Sequence, residues 1–193
     1  MIVFSSDNGP NLENLEHGFD GSVFNMRGHK GQLYDGGIRV PFIVRWPGHT
    51  PVGQVNDDTW ISAVDMAPTF MDAAGIDMPR RFSPDGVSAL DALHGKEFER
   101  GLPMMWEWRN ADCRGNDEHV DGWPMLGIRH EEYMLLHNPV SGLQALYDTY
   151  TDESQSRNLI ADKSDLARML TGQIEDFSRS LPGYPTRPGS GCI

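Results

Sequence analysis

The segment Ile2-Val3-Phe4-Ser5-Ser6-Asp7-Asn8-Gly9-Pro10 begins with a short apolar run and ends in residues that favour a turn. The run predicts a buried parallel strand, because it is continuous and stops at residues that do not extend a strand. Asp7 and Asn8 follow at the carboxyl end of this strand, where ligands bind in open α/β sheets. A carboxylate beside an amide carbonyl offers hard oxygen ligands to calcium or magnesium. The pair is therefore typical either of a plain turn or of part of a divalent-cation site.

A second segment, Arg27-Gly28-His29-Lys30-Gly31, places a lysine next to a glycine. With few bulky neighbours, Lys30 can bring a compact positive charge close to an anion. Residues 9–29 show no sustained periodicity and predict a long loop over the site. A strand is expected at residues 41–46, before Pro47-Gly48. Taken alone, the lysine segment is typical of a solvated loop, so its meaning depends on the order of the segments around it.

That order and spacing resemble the sulfatase family, in the alkaline-phosphatase-like superfamily. The resemblance continues over nearly the whole chain, through the segments Asp35-Gly36-Gly37-Ile38-Arg39-Val40-Pro41, Arg45-Trp46-Pro47-Gly48, Asp65-Met66-Ala67-Pro68-Thr69, Asp85-Gly86-Val87-Ser88, Trp106-Glu107-Trp108, Gly127-Ile128-Arg129, Leu146-Tyr147-Asp148 and Arg157-Asn158-Leu159. It implies an α/β fold: the end of an alkaline-phosphatase-like mixed sheet with flanking helices, then a small antiparallel sheet packed on a C-terminal helix. The corresponding expected domains are residues 1–100, the last part of the catalytic domain, and residues 101–193, a small C-terminal subdomain.

The resemblance also implies a chemistry for the two segments. Asp7 and Asn8 would be ligands of a divalent cation, usually calcium, and Lys30 would contact the sulfate group of a sulfate ester. The cation and Lys30 together would neutralise charge on the sulfate oxygens and stabilise negative charge as the ester bond breaks. Two residues supply only part of the roughly 6–8 oxygen ligands that calcium takes, so the site in this chain is expected to be incomplete and to bind metal weakly.

The family's nucleophile has no counterpart in the sequence. Sulfatases carry a Cys (or Ser)-x-Pro-x-Arg segment whose first residue becomes a formylglycine, and neither Cys113 nor Cys192 lies in such a segment. We therefore expect the C-terminal part of a sulfatase, as a fragment or a truncated reading frame, that is inactive on its own. Two alternatives remain open at this stage: part of a phosphate or phosphonate ester hydrolase, and a non-catalytic module that binds sulfated glycans. The sequence leaves the natural substrate open among aryl, steroid and glycan sulfates.

Composition limits the possible partners. Lysine and arginine total 16 against 28 aspartates and glutamates, which gives a formal charge of −12 and opposes binding to nucleic acid or to an anionic membrane. Two cysteines do not make a disulfide framework. Neither a secretory signal nor a membrane-spanning run is visible, which leaves the compartment open, although an exported or lysosomal parent enzyme would fit the family.

The C-terminal half alternates short strand-like runs with turn residues and predicts an antiparallel sheet, between residues 103 and 148. Ser164 is the expected N-cap of a final helix whose apolar positions share one face. Another helix is expected after Asp65 as its N-cap, with Phe70 on a core-facing stripe and Gly75 as its stop.

Other candidate sites are weaker. His29 lies beside Lys30 and departs from the family, and a loop histidine at the rim of the site is its simplest interpretation. His17 and His119 have less claim to catalysis. Residues 109–122 are polar and predict a surface insertion, and its acidic residues with Cys113 match no structural zinc spacing. Arg39 is expected to support local structure.

Overall fold

The computed structural model describes residues 1–11, 21–108, 124–139 and 141–182. Its elements follow the chain as β1 (Ile2–Ser5), α1 (Asp35–Ile38), β2 (Phe42–Arg45), a 3-10 turn (Ala63–Asp65), α2 (Met66–Ala73), α3 (Leu90–Leu93), β3 (Met104–Glu107), β4 (Leu126–His130), β5 (Tyr133–Asn138), β6 (Leu143–Asp148) and α4 (Ser164–Ser180). They form two compact units. The first comprises Met1–Ser6 and Pro41–Met104, and the second comprises Asp7–Val40 and Met105–Ile193.

The first unit contains a two-stranded sheet in which β1 and β2 run antiparallel, with Phe4 opposite Ile43. Both strands were predicted, but the expectation that β1 is buried and parallel is wrong: Ile2 and Phe4 are each 61% exposed. A short apolar run specifies an extended backbone. It does not specify the direction of the neighbouring strand or what covers its faces.

Helix α2 is the helix predicted after Asp65, and Gly75 follows it with a φ of 66°, a conformation that suits glycine after a helix end. The face predicted to be buried is not the buried one. Pro68 and Thr69 are buried, whereas Phe70 is 41% exposed. The apolar stripe predicted an amphipathic helix, but the buried face is the one that carries the hydrogen bonds of Thr69. The Thr69 hydroxyl donates to the Asp65 carbonyl at 2.6 Å and accepts from the Ala89 amide at 2.9 Å.

Asp65 does not cap α2 with its side chain. Its carboxylate instead accepts a hydrogen bond from the Ser62 amide at 2.8 Å, which completes a capping box on the preceding 3-10 turn. The same carboxylate accepts from the Val87 amide at 2.9 Å and forms a buried ion pair with Arg100 at 2.8 Å. The predicted N-cap is therefore a hub of the first unit, because an aspartate at a helix start can serve either the helix or its neighbours.

The second unit is built on a four-stranded sheet in the order β3-β4-β5-β6, with β5 antiparallel to both β4 and β6. Helix α4 packs on one face. The core that it shares with the sheet comprises Leu126, Ile128, Leu135, Leu146, Leu159, Ala167, Leu170 and Ile174. The predicted small sheet packed on a C-terminal helix is confirmed. The N-cap position of α4 is Lys163 and Ser164 is the first helical residue, so the predicted N-cap at Ser164 is wrong.

The opposite face of this sheet holds the segment that leads into the candidate site. Side chains of a strand alternate between faces, and Met134, Leu136, Ala145 and Tyr147 form a second core with Leu33 and Tyr34. Leu33 and Tyr34 immediately precede α1. The C-terminal sheet therefore anchors α1 directly through apolar contacts.

The structure describes no helix or strand in residues 9–11 and 21–29, the described parts of the predicted loop. The predicted insertion at residues 109–122, with its acidic cluster and Cys113, lies outside the described residues, as do His17, His119 and Cys192. Among the described residues, no helix is both long enough and apolar enough to cross a membrane. The α/β fold class is confirmed, while the domain boundary at residue 100 stays a prediction.

Candidate functional site

Asp7 and Asn8 follow β1 after one intervening residue, and Gly9 fixes the backbone behind them. The Gly9 amide donates to the Gly37 carbonyl at 2.8 Å. A Cβ at position 9 would lie 1.9 Å from the Gly36 carbonyl oxygen, so only glycine fits this close approach. Asp7 is exposed and Asn8 is half-buried. The pair thus lies at an accessible edge of the second unit on a backbone that is held against α1.

Lys30 lies close to this segment along the backbone. Its amide donates to the Pro10 carbonyl at 3.0 Å, and its side chain is exposed. Gly28 and Gly31 on either side have φ values of 82° and 89°, which few other residues adopt. The Lys30 loop therefore bonds the backbone two residues beyond Asn8, while the roles of Lys30, Asp7 and Asn8 stay a prediction.

The donor atoms of this segment fit part of a hard-cation site. The Asn8 side-chain nitrogen donates to the Gly9 carbonyl at 3.0 Å, which occupies the atom of the amide that does not ligate cations. Asp7 contributes an exposed carboxylate. No group of three or more His, Cys, Asp or Glu residues that could hold a metal occurs in the part of the chain that the structure describes. The two residues supply oxygen ligands, but fewer than calcium or magnesium normally takes.

His29 is turned into its own loop. One ring nitrogen lies 3.0 Å from the Lys30 carbonyl oxygen and the other 3.0 Å from the Gln32 side-chain nitrogen. Arg39 forms an ion pair with Glu153 at 4.0 Å. The His29 contacts fit a loop histidine, and the Arg39 contact fits the structural role expected for that residue.

A buried ion pair lies behind the loop. Arg129 on β4 donates to the Asp35 carboxylate at 2.7 Å, with side chains 3% and 0% exposed. Arg129 also donates to the Thr149 hydroxyl. Burial lowers the pKa of the Arg129 guanidinium, and the facing Asp35 carboxylate opposes that shift. The pair is thus enclosed and connects the C-terminal sheet to the first residue of α1.

Gln155 extends this network. Its side-chain oxygen accepts from the Asp35 amide at 2.8 Å, and its backbone carbonyl accepts from the Arg27 guanidinium at 3.3 Å. The Arg27 guanidinium also donates to the Tyr147 hydroxyl at 3.2 Å and lies 4.1 Å from the centre of the Tyr34 ring. Two side chains of the C-terminal sheet, Arg129 and Tyr147, and the following Gln155 therefore contact the two ends of the segment from Arg27 to Asp35.

Sequence reasoning quoted Asp35 and Arg129 only as parts of motifs and missed their pairing, as well as Thr149 and Gln155. One signal was available. Arg129 follows Gly127-Ile128 in a strand that is otherwise apolar, and a charged residue in such a strand calls for a buried partner. Nothing in the sequence indicated that the partner would be Asp35, which lies far away along the chain.

Comparison with known proteins points to one family. The family model described as N-sulphoglucosamine sulphohydrolase, C-terminal, matches residues 27–180. Over 92% of its length the chain is 27% identical to an uncharacterized sulfatase, YdeN, of Escherichia coli K12, and over 91% it is 24% identical to an N-acetylgalactosamine-6-O-sulfatase of Bacteroides thetaiotaomicron. The crystal structure of Ps i-CgsB in complex with k-i-k-neocarrahexaose covers 92% of the chain with a TM-score of 0.73 and 24% identity. This last likeness shows the fold.

The chain corresponds to only about a third of each of these proteins. The chain spans 35% of the length of both curated relatives and 36% of the structural neighbour.

Proposed function

The chain belongs to the family of the N-sulphoglucosamine sulphohydrolase C-terminal domain, and we propose that it is the C-terminal part of a sulfatase that hydrolyses sulfate esters. The observation that carries this proposal is the backbone contact between the Lys30 loop and the Asp7–Asn8 segment. The Lys30 amide bonds the Pro10 carbonyl at 3.0 Å, two residues beyond Asn8. The lysine that we propose for anion binding and the two proposed oxygen ligands therefore lie on backbone segments that are joined by a hydrogen bond.

Asp7 and Asn8 would hold a divalent cation through a carboxylate oxygen and an amide oxygen. When bound, the cation supplies a Lewis acid that polarises a sulfate oxygen. Lys30 adds a mobile ammonium group, which screens charge on the same anion without a fixed fork geometry. Gly31 leaves space beside Lys30 for an anion, because a Cβ at position 31 would meet only Trp108, at 3.9 Å.

The nucleophile belongs to no segment of this sequence, since no Cys (or Ser)-x-Pro-x-Arg occurs in it. We therefore expect no turnover by the chain alone. Its contribution is to bind the sulfate group and to disperse charge that develops on the leaving oxygen.

A sulfated glycan is the substrate class that we favour. The relative from Bacteroides thetaiotaomicron is named for a sulfated amino sugar, and the structural neighbour was solved with a bound oligosaccharide. The choice between aryl and glycan sulfates depends on the residues that surround the sulfate group. On this chain, the described loop at residues 21–26 is a candidate for that role.

The test is binding of inorganic sulfate to the chain by NMR titration, with and without calcium. We expect weak binding that calcium strengthens, and losses on Asp7→Asn and on Lys30→Gln. Matched controls are Asp57→Asn and Lys96→Gln, which change an exposed carboxylate and an exposed lysine of the first unit. Controls that weaken binding as much as the site variants would sink the proposal.

Three results would redirect it. Hydrolysis of an aryl sulfate by the pure chain, abolished by Asp7→Ala, would disprove the expected inactivity. Preference for phosphate or a phosphonate over sulfate would favour the phosphate and phosphonate ester hydrolases. Binding of a sulfated glycan that is unchanged by a chelator would favour a non-catalytic binding module.

A further inference from the structure

We propose that the buried ion pair between Asp35 and Arg129, with Gln155, is a positioning device. It sets the backbone of the Lys30 loop against the segment that carries Asp7 and Asn8. The inference rests on the proposed function for what the positioned residues do. The positioning itself is a property of this fold.

Asp35 is held through both its side chain and its backbone. The Asp35 carboxylate accepts from Arg129 at 2.7 Å, and the Asp35 amide donates to the Gln155 side-chain oxygen at 2.8 Å. Arg129 is fixed in turn by its second donor, which reaches the Thr149 hydroxyl. Both the side chain and the backbone of Asp35 are therefore tied to the C-terminal sheet and the loop after it.

The residues next to Asp35 carry this constraint to the site. The Gly36 amide donates to the Arg27 carbonyl at 2.8 Å, at the start of the Lys30 loop. The Gly37 carbonyl accepts from the Gly9 amide at 2.8 Å, directly after Asn8. One dipeptide thus bonds both arms of the candidate site, and a shift of Asp35 would move both arms.

The same dipeptide packs against the loop with no free space. A Cβ on Gly36 would lie 2.3 Å from the Gly28 carbonyl oxygen, and one on Gly37 would lie 2.1 Å from the Gln32 carbonyl oxygen. Backbone in direct contact with backbone transmits displacement, because close-packed groups cannot yield independently.

Stability alone gives little reason for this arrangement. Buried ion pairs are often no more stabilising than apolar residues of similar volume. Here the second carboxylate oxygen of Asp35 and the side-chain nitrogen of Gln155 are both buried without a hydrogen-bond partner among the described residues. A directional contact that forms despite these unsatisfied atoms fits a role in fixing geometry.

The experiment is amide hydrogen exchange by NMR on the full chain, comparing wild type with Arg129→Met. We expect protection of the Gly9, Lys30 and Gly36 amides to fall about tenfold to a hundredfold, the range for loss of a charged hydrogen bond, with little change in β5. Arg100→Met is the matched control, because it breaks the other buried ion pair, Asp65–Arg100, in the first unit. It should leave the three amides as protected as in wild type.

Uniform loss of protection across β5 and the site would mean a purely structural pair and would overturn the proposal. So would unchanged protection at Gly9 and Lys30. Should Arg129→Met fail to fold, wild type alone decides in low denaturant. The three amides must then open together with one common free energy, and three unrelated opening free energies would overturn the proposal.

Sulfate titration of the same variants separates this inference from the proposed function. Loss of site protection in Arg129→Met, together with a sulfate affinity that Lys30→Gln leaves unchanged, would retain the positioning device and remove the sulfatase role of Lys30. If both are correct, Arg129→Met weakens sulfate binding although Arg129 is buried away from solvent.

Discussion

Gly9 is the residue at which the Asp7–Asn8 segment contacts the Gly36–Gly37 dipeptide. Its amide bonds the Gly37 carbonyl, and the space where a side chain would begin is filled by the Gly36 carbonyl. The sequence Asp-Asn-Gly predicted a turn here, where glycine is valued for backbone freedom. The structure gives a different reason, which is the absence of a Cβ.

We predict that Gly9→Ala lowers the free energy of unfolding by about 1–3 kcal/mol, as overpacking does, because the new methyl group would lie 1.9 Å from a backbone oxygen. Chemical denaturation measures the loss. The control must be a glycine whose backbone conformation alanine can adopt. Gly48 does not qualify, because its φ is 81°, whereas Gly21 and Gly172 have ordinary φ values. Of these, Gly172 has open space around it, so Gly172→Ala adds a methyl group without a clash and, unlike Gly9→Ala, should not lower the free energy of unfolding. Equal stability of Gly9→Ala and wild type would contradict the close approach.

Tyr147 gives a prediction about pH. Burial raises the pKa of its hydroxyl above the ordinary value of 10.0; Tyr34 adds to this rise, and the Arg27 guanidinium opposes it. A raised folded-state pKa means that the folded state holds the proton more tightly than the unfolded state. The contribution of Tyr147 to the free energy of unfolding is therefore fully present below about pH 10, and it is lost as the pH rises through the folded-state pKa.

The measurement is the midpoint of urea unfolding between about pH 8 and 11, a range that brackets the ordinary tyrosine pKa. Tyr147→Phe should make this decline shallower, because it removes the titrating group and keeps the ring that packs against Tyr34. Tyr150→Phe is the control, since Tyr150 is 63% exposed. A decline that is equally steep in Tyr147→Phe would disprove the assignment.

At the scale of elements, α4 has a buried apolar face and one destabilising residue, Gly172, on its exposed side. Leu170 and Ile174 are fully buried against the sheet, while Gly172 lies between them on the exposed side, and a methyl group at position 172 would meet nothing within 4 Å. Glycine inside a helix costs about 0.5–1 kcal/mol relative to alanine. We predict that Gly172→Ala raises the free energy of unfolding by about this amount, measured by urea denaturation. A decrease would show that position 172 needs glycine for a reason that the packing does not reveal.

The elements also show how far the sequence leads. The strands of the C-terminal sheet and α4 were predicted because each has a clear period and turn residues at its ends. The direction of β1, the capping role of Asp65 and the buried face of α2 were not predicted correctly, because these depend on partners distant in the sequence. The same limit applies to the site. Lys30 and Asp7 were proposed as site residues from local motifs, whereas Asp35 and Arg129 meet only in the folded chain.

At the scale of the whole molecule, two features have opposite effects on self-association. They are the net charge of −12 and the exposed apolar side chains on the sheet of the first unit. Phe4 and Ile43 lie opposite each other on β1 and β2, and they are 61% and 59% exposed. Contiguous apolar surface favours association, while a large net charge of one sign opposes it. The balance should therefore depend on ionic strength.

We predict that the chain self-associates more strongly as salt rises from about 0.01 M to 1 M, since the Debye length shrinks from about 30 Å to about 3 Å over this range and screens the repulsion. Sedimentation velocity measures the association. The double variant Phe4→Thr/Ile43→Thr should abolish it, because threonine retains strand propensity and removes most of the apolar area. Val52→Thr/Val55→Thr is the matched control, since both valines are highly exposed but lie outside any strand. If the control variant dissociates as fully as the strand variant, association does not depend on this sheet face, and if salt weakens association, attraction between charges drives it instead.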